Sequence, residues 1–262
     1  MKVIFSMDIK DKRNRLTKYS GIGLAQYEYE EGYLIDSYIP TGIPLELSDD
    51  EYNKILLEKY IGDIGNTIFL IKVANHNASY ICSTGELPEN KESLLKGIVQ
   101  DILEKVKVGG EVHPIRICTT NDSQKTITRD YKSFHKVGLH IDSWDSVQLC
   151  NRLSSSNRLV MNLGPTSRNL LFIDRSVDSL VRENSIYKNE YEGKEFSTHY
   201  FNEHPKSIVY SLQINPGEAY IAPTENLIHD ATVPGNNQIN STFMLRGKIE
   251  PKEMLNEILC NS

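Results

Sequence analysis

The chain has 262 residues, 39% of them hydrophobic, and a net charge of -6. That length suits one large domain or a core with an elaborated N-terminal half, and it can bury a sizeable hydrophobic core, so a disordered chain is excluded. Lys and Arg are scattered rather than striped, so nucleic acid is not an expected partner, and no run approaches the ~20 apolar residues of a membrane helix.

The opening Met1 to Lys10 has too short an apolar core for a secretory signal and lacks a small-residue cleavage site, so a cytoplasmic protein is expected. Ser20-Gly-Ile-Gly lacks the third glycine and the flanking strand of a dinucleotide-binding loop and is set aside. Ser48 and Glu51 have the spacing of a capping box, which predicts a helix from about Asp49 to Ile61 that buries Tyr52, Ile55, Leu56 and the stem of Lys59. Thr67 to Val73 reads as a buried strand. From Lys91 to Lys107, Leu94, Leu95, Ile98, Val99, Ile102, Leu103 and Val106 fall at helical spacing, and Gly109-Gly110 is expected to end that helix. Val112 to Thr119 looks extended, and Thr120 to Arg129 reads as a loop.

Near Tyr131 the character changes to short apolar segments separated by Gly, Pro, Asn and Ser turns, which points to an antiparallel sandwich or barrel. The predicted strands are Gly138 to Asp142, Arg158 to Leu163, Asn169 to Asp174, Ser207 to Gln213, Ala219 to Ala222 and Ser241 to Lys248. A helix is expected over Asp178 to Glu190 and a terminal one over Pro251 to Cys260. Leu153 to Asn157 and Lys188 to Glu203 are the segments whose composition suits a mobile lid. Cys82, Cys118, Cys150 and Cys260 have no paired spacing and read as reduced structural thiols.

His140 and Asp142 lie two apart, so in an extended segment both side chains leave one face and can grip one metal ion. Far downstream, a Pro216-Gly217 turn, a short apolar strand and a second turn deliver His229. Two His and one carboxylate form the facial triad that holds non-haem iron(II) and leaves coordination positions open. A lone His-x-Asp is close to a chance event in a chain with seven histidines. Its weight comes from order and context, because His229 and then Arg246 follow it within one turn-rich β region.

In that order the pattern resembles the iron(II)- and 2-oxoglutarate-dependent oxygenases built on the double-stranded β-helix, over roughly Tyr131 to Gly247. The resemblance implies an α+β chain. Residues 131–250 would form a jelly-roll or cupin-like catalytic barrel, residues 1–130 an N-terminal elaboration packed on it, and residues 251–262 a C-terminal helix. It implies His140, Asp142 and His229 as iron ligands, 2-oxoglutarate and O2 as co-substrates, and Arg246 as the bidentate partner of the co-substrate's distal carboxylate. Thr242, on the same strand face as Arg246, would add a hydroxyl to that carboxylate. Related halogenases keep a small residue where Asp142 stands, so the carboxylate points to hydroxylation or desaturation.

Asn162 either hydrogen-bonds the co-substrate or serves the turn before Gly164-Pro165. Arg158 would meet an acidic substrate. Trp144 either lines the substrate entrance or packs at a barrel rim. The expected substrate is a small polar molecule such as an amino acid or a biosynthetic intermediate, and the sequence leaves the oligomeric state open. Two alternatives stand beside the oxygenase reading: a non-oxidative cupin-type metalloenzyme, and a non-catalytic β-barrel that binds a ligand or protein.

Overall fold

The structure, a computed structural model, describes residues 1–28, 30–60, 62–73, 91–120, 124–184, 191, 193–233 and 240–253. The chain is mixed α+β, with two large sheets and few helices. One sheet has six strands in the order β1 (Lys2–Phe5), β6 (Thr67–Lys72), β11 (Glu218–Ala222), β8 (Asn157–Asn162), β13 (Asn240–Pro251) and β7 (Val106–Thr120). Only β1 and β6 run parallel. The other has five strands in the order β12 (Leu227–Thr232), β9 (Arg168–Ser176), β10 (Val209–Ile214), β2 (Leu16–Tyr19) and β5 (Leu45–Glu46), while β3 (Gly21–Leu24) pairs with β4 (Tyr38–Thr41). Strands from the first 120 residues thus lie in both large sheets.

Side chains alternate between the two faces of each strand, and this sorts the core into layers. Between the large sheets lie Ile68, Leu70, Val160, Tyr220 and Ala222 from one side and Leu170, Phe172, Tyr210, Leu212 and Leu227 from the other. The opposite face of the six-stranded sheet, with Phe69, Met161, Ile221 and Phe243, packs on Ile98 and Ile102 of helix α2 (Lys91–Lys105). The outer face of the five-stranded sheet, with Leu171 and Ile173, packs on α3 (Val177–Glu183) and α4 (Gly193–Glu203). Burying a side chain such as Phe196 or Phe201 stabilises the fold by roughly 2 kcal/mol. Among the described residues no helix is long and apolar enough to cross a membrane.

The capping box forms as the spacing predicts: Ser48 Oγ accepts from Glu51 N at 3.3 Å, and Glu51 returns its carboxylate to Ser48 N at 2.9 Å. The helix α1 it opens, however, spans only Asp49–Ile55. Leu56 is already extended, bridges to Val3, and hands the chain to Leu57, whose N–H donates to Val3 O. Pairing beside β1 overrides further helix. Ser48→Ala is expected to cost about 1 kcal/mol in urea unfolding, the usual worth of an N-cap.

Four other expectations are corrected. Gly109 and Gly110 do not end α2. The strand β7 begins directly at Val106, and the glycines lie at a β-bulge where its register against Arg246 and Lys248 shifts, with Gly110 at φ +85°. The segment Gly138 to Asp142 is extended but makes only one β-bridge, His140 with His229. The helix drawn from Asp178 to Glu190 closes at Glu183, and residues 185–190 lie outside the described residues. Much of the expected lid from Lys188 to Glu203 is helix α4, whose Phe196, Tyr200 and Phe201 are buried at helical spacing. The expected terminal helix lies outside the described residues beyond Glu253.

Candidate metal centre

Gly138 opens the site. Its φ of +76° and the 2.6 Å separation between an added Cβ and Tyr38 O leave no room for a side chain. Beyond it, Leu139 N donates to Tyr38 O at 2.8 Å, and Asp142 N donates to Thr224 O at 3.1 Å. Between them His140 exchanges backbone bonds with His229 on β12: His140 N to His229 O is 3.0 Å, and His229 N to His140 O is 2.8 Å. Directly opposed residues of an antiparallel pair put their side chains on one side. The imidazoles therefore lie together, with ring centroids 4.9 Å apart.

His140, Asp142 and His229 are all buried, and their donor atoms lie within 4.8 Å of one another. Asp142 Oδ1 is 3.8 Å from His140 Nε2, and Asp142 Oδ2 is 3.9 Å from His229 Nε2. Each imidazole is held by the carbonyl two residues upstream, His140 Nδ1 to Gly138 O at 2.8 Å and His229 Nδ1 to Leu227 O at 3.0 Å. A carbonyl only accepts, so Nδ1 carries the proton in both rings and the Nε2 lone pairs face the carboxylate.

The electrostatics agree with a ligand set. Burial pushes His229 down to about 4, against the opposing pull of Asp142, so this imidazole is neutral near neutral pH. For Asp142, burial works upward, but Arg158, His229 and His140 outweigh it and hold the carboxyl at about 2. Arg158 Nη2 is 2.6 Å from Asp142 Oδ2, though the angle is not that of a hydrogen bond.

The remaining predicted residues divide. Arg158 joins the triad. Arg246, its register partner on β13, is ion-paired with Asp145 and sits at the same end of the space between the sheets. Thr242 is buried on the same face, opposite Asn162. Asn162 holds its turn, with Nδ2 donating to Thr166 O at 2.8 Å and Ile214 O at 3.1 Å, and Oδ1 accepting from Gly164 N at 3.0 Å. Trp144 is 57% exposed. Its backbone N donates to Glu225 Oε1 at 2.8 Å.

Three charged residues beside the triad went unread in the sequence. Glu225 Oε1 also accepts from Asp145 N at 2.7 Å, and Arg152, 1% exposed, donates to Asp142 O and to Glu225 O. Together they clamp the loop that carries Asp142. Asp230, also buried, takes Thr128 N, Thr128 Oγ1 and Ala231 N on Oδ1, with Oδ2 3.9 Å from His140 Nδ1. Burial pushes the carboxyls of Glu225 and Asp230 up.

No protein-family profile and no curated protein matches the chain. Among solved structures, a variant of an iron and alpha-ketoglutarate-dependent endoperoxidase aligns with 88% of this chain and 95% of its own, at 10% identity and a TM-score of 0.35.

Proposed function

We propose that this protein is a non-haem iron(II)- and 2-oxoglutarate-dependent dioxygenase on a double-stranded β-helix core, which hydroxylates or desaturates a small polar substrate. The observation that carries the reading is the buried triad of His140, Asp142 and His229, with both imidazoles set to present Nε2. One ionised carboxylate and two neutral imidazoles suit iron(II), and three donors on one side leave the other positions open. Iron bound there would supply oxygen activation coupled to decarboxylation of the co-substrate.

The chain's own part is placement and exclusion. Gly138 O and Leu227 O hold the two rings, and the Arg152 and Glu225 clamp holds the carboxylate. Phe172, in register with His229, and Leu170 beyond it keep that side of the interior dry. Arg158 and Arg246 stand in register at the triad end, each already paired with a carboxylate, Asp142 and Asp145 respectively. Anaerobic addition of iron(II) and 2-oxoglutarate is expected to give a visible metal-to-ligand charge-transfer band, and oxygen is then expected to release succinate. Protein that binds no metal would sink the reading. Metal binding with no response to 2-oxoglutarate or oxygen would favour the non-oxidative cupin-type alternative.

A further inference from the structure

The imidazole of His140 stands between two carboxylates. Asp142 Oδ1 lies 3.8 Å from its Nε2, and Asp230 Oδ2 lies 3.9 Å from its Nδ1, at the other edge of the ring. Adjacent residues of a strand leave opposite faces, so Asp230 departs β12 away from the face that carries the neighbouring His229. His229 has no such backing: among the described residues its Nδ1 meets Leu227 O alone. The two imidazoles are therefore held differently, one by a carbonyl and the other by a carbonyl and a carboxylate.

Asp230 is 1% exposed, and its two oxygens have separate tasks. Oδ1 accepts from Ala231 N at 2.6 Å, Thr128 Oγ1 at 2.9 Å, Thr128 N at 3.2 Å and Ile127 N at 3.4 Å. It thereby ties down one end of a strap, residues 124–128, whose other end exchanges backbone bonds with Val233 through Gln124. Oδ2 is just as deeply buried, yet it accepts no hydrogen bond among the described residues. A buried acceptor without a donor is costly, and folded proteins keep few of them. The group this one faces is the Nδ1 proton of His140, which Gly138 O, an acceptor only, keeps on the ring. At 3.9 Å the attraction is electrostatic rather than a hydrogen bond, and with water excluded it is little screened.

We propose that Asp230 is a positioning residue of the metal centre: its Oδ2 pulls on the His140 Nδ1 proton alongside Gly138 O and holds that ring with Nε2 turned toward Asp142, which makes His140 the more firmly fixed of the two imidazoles. This role rests on the reading of His140, Asp142 and His229 as a metal centre. A carboxylate behind a ligand histidine fixes the ring and its tautomer and makes the far nitrogen a better electron-pair donor. Holding the strap is a task for Oδ1 alone, so the two tasks come apart under substitution. In Asp230→Asn the amide oxygen keeps the donors of Thr128 and Ala231, while an amide NH2 group replaces Oδ2 and turns its own donors toward the Nδ1 proton.

The test compares Asp230→Asn with the parent by manganese titration calorimetry, by thermal melts, and by proton spectra of cobalt(II)-loaded protein, in which each ligand imidazole gives one shifted, exchangeable Nδ1–H signal. Asp230→Asn is expected to weaken manganese binding roughly 10–100-fold while melting close to the parent. The His140 signal should move or exchange faster, and the His229 signal should stay. Asp230→Ala, which gives up the strap as well, should melt lower than Asp230→Asn. An Asp230→Asn protein with parental manganese affinity overturns the assignment. So does an equal disturbance of both imidazole signals, because that is a general loosening of the site and not a grip on His140. A parent that binds neither manganese nor cobalt sinks the metal-centre reading instead. The pairing itself is then read in metal-free protein, where long-range nitrogen-15 spectra should show the His140 Nδ1 resonance moving in Asp230→Asn, and an unmoved resonance would refute it.

Discussion

Replacing His229 with alanine is expected to lower affinity for iron(II) or manganese(II) by at least about 100-fold, a larger loss than removing a partner that merely orients a ligand. Three candidate donors converge within 4.8 Å; burial keeps His229 neutral, and its cationic neighbours hold Asp142 ionised. Loss of one leaves a carboxylate and a single imidazole, too few to displace water from the ion. The fold should survive. His229→Ala removes one Nδ1 bond to Leu227 O, worth about 1 kcal/mol, and relieves a desolvated ring, while β12 keeps its backbone pairing with β9. Asp142→Ala should lose metal equally but cost more stability, because Arg158 then faces the interior unpaired. Calorimetric titration with manganese alongside thermal melts separates the two effects. A His229→Ala protein that binds manganese with parental affinity would refute the triad.

Arg152→Ala is expected to destabilise the protein by about 3–5 kcal/mol in urea unfolding, the usual cost of breaking a buried pair from one side. Glu225 would stay buried with its charge uncompensated, and the carbonyls of Asp142 and Glu225 would lose donors. The loop bearing Asp142 would then drift, so metal affinity of the folded variant should fall roughly 10–100-fold. Pairing Arg152→Met with Glu225→Leu should recover much of the stability, because matched apolar groups avoid the desolvation cost. It should not recover metal affinity, since the grip on Trp144 N and Asp145 N stays lost. Equal recovery of both would mean that the clamp has no part in presenting Asp142.

Local signals were read well where the physics is local. The Ser48 and Glu51 box, the helical stripe from Leu94 to Ile102 and the apolar run of β6 all form where side chains a few residues apart meet. The failures are non-local. Gly109 and Gly110 have the look of a helix stop, but β13 offers β7 a ladder partner along its whole length, and a bulge absorbs the glycines. The α4 stripe of Phe196, Tyr200 and Phe201 was visible, yet its Tyr, Glu and Gly neighbours suggested a lid until the face of β9 gave it something to bury against.

By itself the sequence determined the candidate donors and their order: His140 and Asp142 two apart, His229 after a turn and a short strand. Spacing within an extended segment is set by the backbone and needs no partner. Only the tertiary structure decided the charges around them. In sequence Arg246 lies within a predicted strand and Arg168 directly before one. Asp145 neutralises one at the triad end, while the other starts four residues from the level of His229 with no carboxylate paired to it among the described residues. A charge takes its meaning from what lies within a few ångströms when water is excluded, and that is fixed by strand order and register rather than by any local pattern.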